Sequence, residues 1–209
     1  MKDMFISKEM VKGLFDLVKS EEMLPSDFEL IVFQDHDEDF SFLYEEDRLC
    51  LPYYLDVEDD SNFRKVILNK YNLNVLSFYE ELTESQNDLV FSLLHEFGHM
   101  VQMQQLGDSY EDFDDTDFDL RAEIIKKYED EYEREIAYRN LESEMFADQF
   151  AIQMINNHKD RIVDIIKNAK MNEASPYGEF YSIWFRLMFV DYFSNKTFKK
   201  YSQKISNWI

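Results

Sequence analysis

His95, Glu96 and His99 stand in the spacing His-Glu-x-x-His within an apolar stretch that begins near Leu89. Residues four apart share one face of a helix, so both imidazoles can reach a single metal ion while Glu96 sits beside them. That is the outline of a zinc site. Zinc in a catalytic centre takes three protein ligands and keeps a fourth position for water, so another His or carboxylate must arrive from elsewhere in the chain. The candidate is Glu144, in Glu144-Met145-Phe146-Ala147-Asp148. Glu144 and Asp148 are also four apart in a run of helical character and point the same way. Glu144 can then bind the metal while Asp148 accepts a hydrogen bond from the second ring nitrogen of one histidine, fixing its tautomer. Glu142 is the competing carboxylate, but no acidic residue follows it four positions on.

Two helices must carry these residues. Thr83-x-x-Gln86 and Ser85-x-x-Asp88 both read as capping-box starts, and Gly107 after Leu106 reads as a stop. Between them Leu89, Val90, Leu93, Leu94, Phe97, Met100 and Val101 form one apolar stripe, with Asp88, Ser92, His95 and His99 on the other side. This pattern turns the histidines toward a cleft and away from the main core. On the second helix, Ala147 is small enough to let the two helices approach closely.

The pairing of His95-Glu96-x-x-His99 with Glu144-x-x-x-Asp148 resembles the glutamate-zincin metallopeptidases. The wording Glu144-x-x-Ala147-Asp148-x-Phe150-Ala151 is similar to the ImmA/IrrE type found in bacteria and mobile elements. The resemblance covers two helices, and the chain departs from compact members in its long acidic spacer between His99 and Glu144. It implies an α+β zincin-like fold, mostly helical, with a small antiparallel sheet and an active-site helix carrying the motif. It also implies zinc held by His95, His99 and Glu144, with Glu96 as general base and Asp148 behind the ligands. The expected reaction is peptide-bond hydrolysis in a cytoplasmic protein, by resemblance a transcriptional repressor or similar regulator. Two other readings stay open. One is a zinc-binding regulatory or interaction module without turnover; the other is an acidic binding protein that mimics nucleic acid.

The 209-residue chain is long enough for one domain with a sizeable core, and 45% hydrophobic and 16% aromatic residues argue for a folded protein. We read residues 1–209 as a single domain with an acidic insertion at about 108–119. A net charge of −22 disfavours contact with a phosphate backbone or an anionic membrane and suits a basic protein or peptide partner. It also simply keeps a surface solvated. Cys50 is the only cysteine, so no intrachain disulfide forms, and within Leu49-Cys50-Leu51 it reads as a packing residue. The first residues lack a signal-peptide apolar core and no run of eighteen apolar residues occurs, so a cytoplasmic location is the default.

Along the chain, Ser7 can cap a first helix bearing Met10, Val11, Leu14, Phe15 and Val18 that ends before Pro25. Residues 27–33, 40–44 and 48–53 read as three strands of an antiparallel meander, with the third at an edge or ending at Pro52, which lacks an N–H for the ladder. The resemblance adds that such an edge beside the active-site helix receives substrate as an extra strand. Ser61 opens a further helix to Lys70, followed by a connection in which Leu76, Phe78 and Tyr79 are core residues. The acidic run 108–119 reads as a mobile loop, a lid more readily than a calcium loop. Helical character resumes at Leu120, with Ile124, Ile125 and Tyr128 on one face. A long helix from about Tyr132 carries Ile136, Leu141, Glu144 and Ile155. Residues 161–166 and 180–190 read as core helices separated by a turn at 174–178. Tyr177 and Tyr181 are candidate oxyanion donors, whereas His36 and His158 are left out of the site.

Overall fold

The computed structural model describes residues 4–21, 23–25, 27–34, 41–43, 48–51, 54–55, 66, 69–71 and 79–169. By backbone contacts the chain divides into Met1–Met171 and Asn172–Ile209, and every described residue belongs to the first unit. The segments 180–190 and 174–178, together with Tyr177, Tyr181, His36, Leu76, Phe78 and most of the helix expected from Ser61, lie outside the described residues.

The described part is a mostly helical α+β arrangement. Strand β1 (Met4–Phe5) leads into α1 (Lys8–Ser20), whose first turn is closed by Ser7 Oγ accepting the Met10 N–H at 3.2 Å. The face of α1 made of Met10, Val11, Leu14, Phe15, Leu17 and Val18 is buried. Four short strands follow: β2 (Ile31–Gln34), β3 (Ser41–Leu43), β4 (Arg48–Leu51) and β5 (Tyr54–Leu55). β5 pairs antiparallel with β1, and the other three form a sheet in the order β2-β4-β3.

That order corrects the expected antiparallel meander. β4 is antiparallel to β3 but parallel to β2, with Val32 opposite Leu49, so the sheet is mixed and β4 lies at its centre. The reason is written in β4 itself. Leu49, Cys50 and Leu51 are apolar on both faces of the strand and all buried, which suits a strand covered on both sides; Ile31 on β2 is 57% exposed, as an edge strand tolerates. The edge reading of 48–53 is therefore wrong; β4 is described over Arg48–Leu51, and residues 52 and 53, on which the ending reading falls, lie outside the described residues.

The main helix, α2 (Glu84–Leu106), starts in a complete capping box. Thr83 Oγ1 accepts the Gln86 N–H at 3.3 Å and Gln86 Oε1 accepts the Thr83 N–H at 2.9 Å. It ends at Gly107, whose φ of 52° is a left-handed value that a side chain would disfavour. Asn87 ties the helix to the preceding turn by accepting the Tyr79 N–H and donating to the Tyr79 carbonyl, both at 3.1 Å. The apolar stripe packs as expected, and Leu89, Leu93, Leu94, Phe97 and Met100 retain no exposed surface. Each such side chain stabilises the fold by about 1.5–3 kcal/mol relative to exposure. Phe97 meets Phe15 of α1 edge-on, with ring centroids 5.7 Å apart.

After a 3₁₀ turn at Gly107–Ser109 the acidic run is helical, not a loop: α3 spans Tyr110–Lys127. Glu111 and Asp112 lie in its first turn and Lys126 and Lys127 in its last, each sign at the favourable end of the helix dipole. Asp117 and Arg121 add an i,i+4 ion pair at 2.6 Å. The long helix expected from Tyr132 is likewise two helices, α4 (Glu131–Tyr138) and α5 (Glu142–Asn157). Leu141, extended at φ −63° and ψ 148°, breaks the run and starts α5. α6 (Lys159–Asn168) follows, with His158 at the junction, and buries Ile162, Val163 and Ile166.

Among the described residues, no helix is long and apolar enough to cross a membrane.

Candidate metal centre

The centre forms where α2 and α5 cross. A Cβ built on Gly98 would lie 2.8 Å from the Ala147 Cα, so the two backbones meet at a distance only glycine permits. Both members of that contact lie beside the site residues, Gly98 next to His99 and Ala147 next to Asp148. The face of α2 opposite the apolar stripe is thus covered by α5 and does not open broadly as a cleft. His95, Glu96, Glu144 and Asp148 are all buried. His99, with 13% of its side chain exposed, marks the side from which solvent reaches the centre.

All five candidate residues converge there, Glu96 beside the two histidines. His95 Nε2 and His99 Nε2 are 3.1 Å apart on rings set at 88° to each other. Glu144 Oε2 lies 3.2 Å from His95 Nε2, and Oε1 lies 3.8 Å from His99 Nε2. On the far side of the ring, His95 Nδ1 donates to Asp148 Oδ1 at 3.0 Å. Asp148 Oδ2 accepts the Tyr71 hydroxyl at 3.1 Å, so the carboxylate that orients His95 is itself held.

Two sets of three could therefore take up a cation. His95, Glu96 and His99 offer ligand atoms within 4.8 Å of one another. His95, His99 and the two oxygens of Glu144 also lie 3.1–3.8 Å apart, near the edge of about 3.3 Å of a tetrahedron that zinc-like bond lengths produce. Three groups with lone pairs directed at one buried point repel one another unless a positive charge sits among them.

In the metal-free centre that charge comes from a proton on His95 and from the guanidinium groups of Arg121 and Arg139. Burial opposes a charged His95, but hydrogen bonds to Asp148 and Glu144 outweigh it and raise its pKa to about 9. Burial, together with the neighbouring His95, lowers His99 to about 3, so the pair shares one proton. Burial would raise Glu144, yet His95 and the adjacent positive charges hold it well below the ordinary carboxylate range. Burial raises Glu96 to about 7. A metal ion would compete with the shared proton for the same nitrogen.

The sequence reading missed two arginines. Arg121 Nη2 donates to Glu144 Oε1 at 3.1 Å, and Arg139 Nη1 donates to Glu144 Oε2 at 2.9 Å and to Asp148 Oδ1 at 3.3 Å. Arg139 Nη1 also lies 3.4 Å from His95 Nε2. Ser143 Oγ donates to Asp117 Oδ1 at 2.7 Å, joining α3 to the first turn of α5. One signal could have found them: two buried carboxylates four residues apart need positive partners, and basic residues are scarce in this chain. His158 stands outside the centre, 3.8 Å from Glu21. Cys50 is buried in β4, away from this chemistry.

The chain matches no protein-family model, no curated protein and no solved structure.

Proposed function

We propose that this protein is a zinc-dependent metallopeptidase of the glutamate-zincin kind, with a zincin-like fold around α2 and α5. The observation that carries the reading is the convergence of His95 Nε2, His99 Nε2 and the Glu144 carboxylate within 3.1–3.8 Å, with Asp148 behind His95. Two imidazoles and one carboxylate suit zinc among the common divalent ions. Bound there, the ion would polarise a water and a substrate carbonyl toward attack.

The chain's own residues supply the remainder. Asp148 holds His95 in the tautomer that leaves Nε2 available to the ion. Glu96, one residue from His95 and within the same cluster, takes the proton of the attacking water on its carboxylate and releases it to the departing amine nitrogen. The covering by α5 keeps bulk water out on that side, while the partly exposed edge at His99 admits substrate. The strongly acidic surface favours a basic protein or peptide as substrate, taken here as a cytoplasmic regulator.

The test is to load the protein with zinc, measure its stoichiometry, and assay cleavage of basic peptides by the unaltered chain and by Glu96→Gln. The variant should keep its zinc and lose about 10²–10⁴-fold in rate. Zinc retained with cleavage intact would remove Glu96 as the base. A second reading, cation binding without turnover, draws on Arg139, whose guanidinium stands 3.4 Å from His95 Nε2 and crowds the approach to the centre. Stoichiometric zinc with no hydrolysis of any peptide by the unaltered chain would favour it.

A further inference from the structure

Each oxygen of Glu144 is engaged by a different arginine, Oε1 by Arg121 and Oε2 by Arg139. Neither arginine comes from the two helices that cross at the centre. Arg121 lies on α3 and Arg139 in the bend between α4 and α5, and each is anchored on its far side. Arg121 Nε donates to Asp117 at 2.6 Å and its Nη1 to the Tyr138 hydroxyl at 3.0 Å; Arg139 Nε donates to Glu135 at 2.8 Å. The Arg139 carbonyl accepts from Lys70 Nζ as well.

From this arrangement we propose that Arg121 and Arg139 are a built-in counter-cation for Glu144, which keeps the metal-free centre folded and weakens its hold on a divalent ion so that loading is reversible. The inference rests on His95, His99 and Glu144 being the ligand set.

The charges make the case. Glu144 and Asp148 are 1% and 0% exposed, and two such carboxylates with no positive partner would lose their hydration and repel each other. Metal sites built that way commonly leave the chain unfolded without the ion. Here the guanidinium groups fill that role in advance. Counting Asp117 and Glu135, four carboxylates face two arginines in these ion pairs, a shortfall of positive charge that attracts a cation. Removing one arginine deepens the shortfall and should draw the ion in more strongly. A carboxylate oxygen has lone pairs for both an arginine N–H and a metal, so the arginine weakens binding through its charge and need not block it.

The experiment measures zinc affinity by competition with a chelator of known strength for the unaltered chain, Arg139→Gln, Arg139→Lys and Arg121→Gln. Thermal unfolding is followed with zinc and with excess chelator. We expect Arg139→Gln to bind zinc at least about tenfold tighter and to melt earlier in chelator, while Arg139→Lys, which keeps the charge, stays within about threefold of the unaltered affinity. Zinc binding by Arg139→Gln that is equal to or weaker than that of the unaltered chain overturns the proposal. If Arg139→Gln does not fold, Arg121→Gln decides, since that side chain is 35% exposed and tolerates replacement better; an affinity no tighter than the original overturns the proposal. An unaltered chain that takes up no zinc overturns the ligand assignment as well, which separates the two failures.

Discussion

Two helix pairs in this protein are held by different forces. α2 and α5 meet through close backbone contact at Gly98 and Ala147 and through apolar side chains such as Phe97, Ala151 and Met154, all with almost no exposed surface. α3 and α4 are surface helices: Asp117 is the one buried residue of α3, and α4 has none. Their link to the body is polar, through Asp117 to Ser143 and Arg121 to Glu144. The contrast teaches a division of labour. Packing, which salt does not screen, sets the distance between the histidines and the carboxylate. The partly exposed ion pairs set the charge around them and respond to ionic strength and substitution.

The strongest way to break this comparison is to remove the residue the two systems share. Glu144→Ala takes away a proposed ligand and strands two arginines, so it should abolish stoichiometric zinc and cost about 3–5 kcal/mol in denaturant unfolding of the metal-free chain. A loss of zinc without a stability change would mean that the arginines do not depend on Glu144. Next comes the seam itself. Gly98→Val puts a branched side chain where even a Cβ would lie 2.8 Å from Ala147, and it should cost at least about 1–3 kcal/mol and lower zinc uptake, read by unfolding and metal analysis. Unchanged zinc affinity would show that the helix spacing is not what sets the centre.

A smaller effect is expected behind the ligands. Asp148→Asn keeps the shape but removes the charge that orients His95, and zinc affinity should fall about 10–100-fold in chelator competition. At the far end of the scale is the outer helix. Ile125, 64% exposed on α3, can become Ser with a change within about 0.5 kcal/mol and no shift in zinc affinity. A large effect there would mean that α3 is held by apolar packing and not by its polar links.

Local features were readable in advance because they depend on neighbours within about one turn. The capping box at Thr83 and Gln86, the stop at Gly107, the apolar stripe of α2 and the Ser7 cap all belong to this class. The acidic run was misread because charge density suggested a solvated loop. Yet Glu111 and Asp112 lie in the helix turn that favours them, and Asp117 gains an ion pair one turn on. The single long helix expected around Glu144 was misread for a related reason: apolar periodicity runs through residues 139–141, and only the extended Leu141 interrupts it.

The residue types and their spacing determined that His95 and His99 share a helical face, that Glu144 and Asp148 share another, and that both faces could serve one cation. The order of the strands was decided only by folding, because it depends on which apolar strand the rest of the chain covers. So were the near-contact of Gly98 with Ala147 and the arrival of Arg121 and Arg139 at Glu144. Apart from Arg139, which stands five residues before Glu144, these contacts join segments far apart in the chain, selected by burial and by the need to neutralise buried carboxylates, and no window of neighbouring residues contains that information.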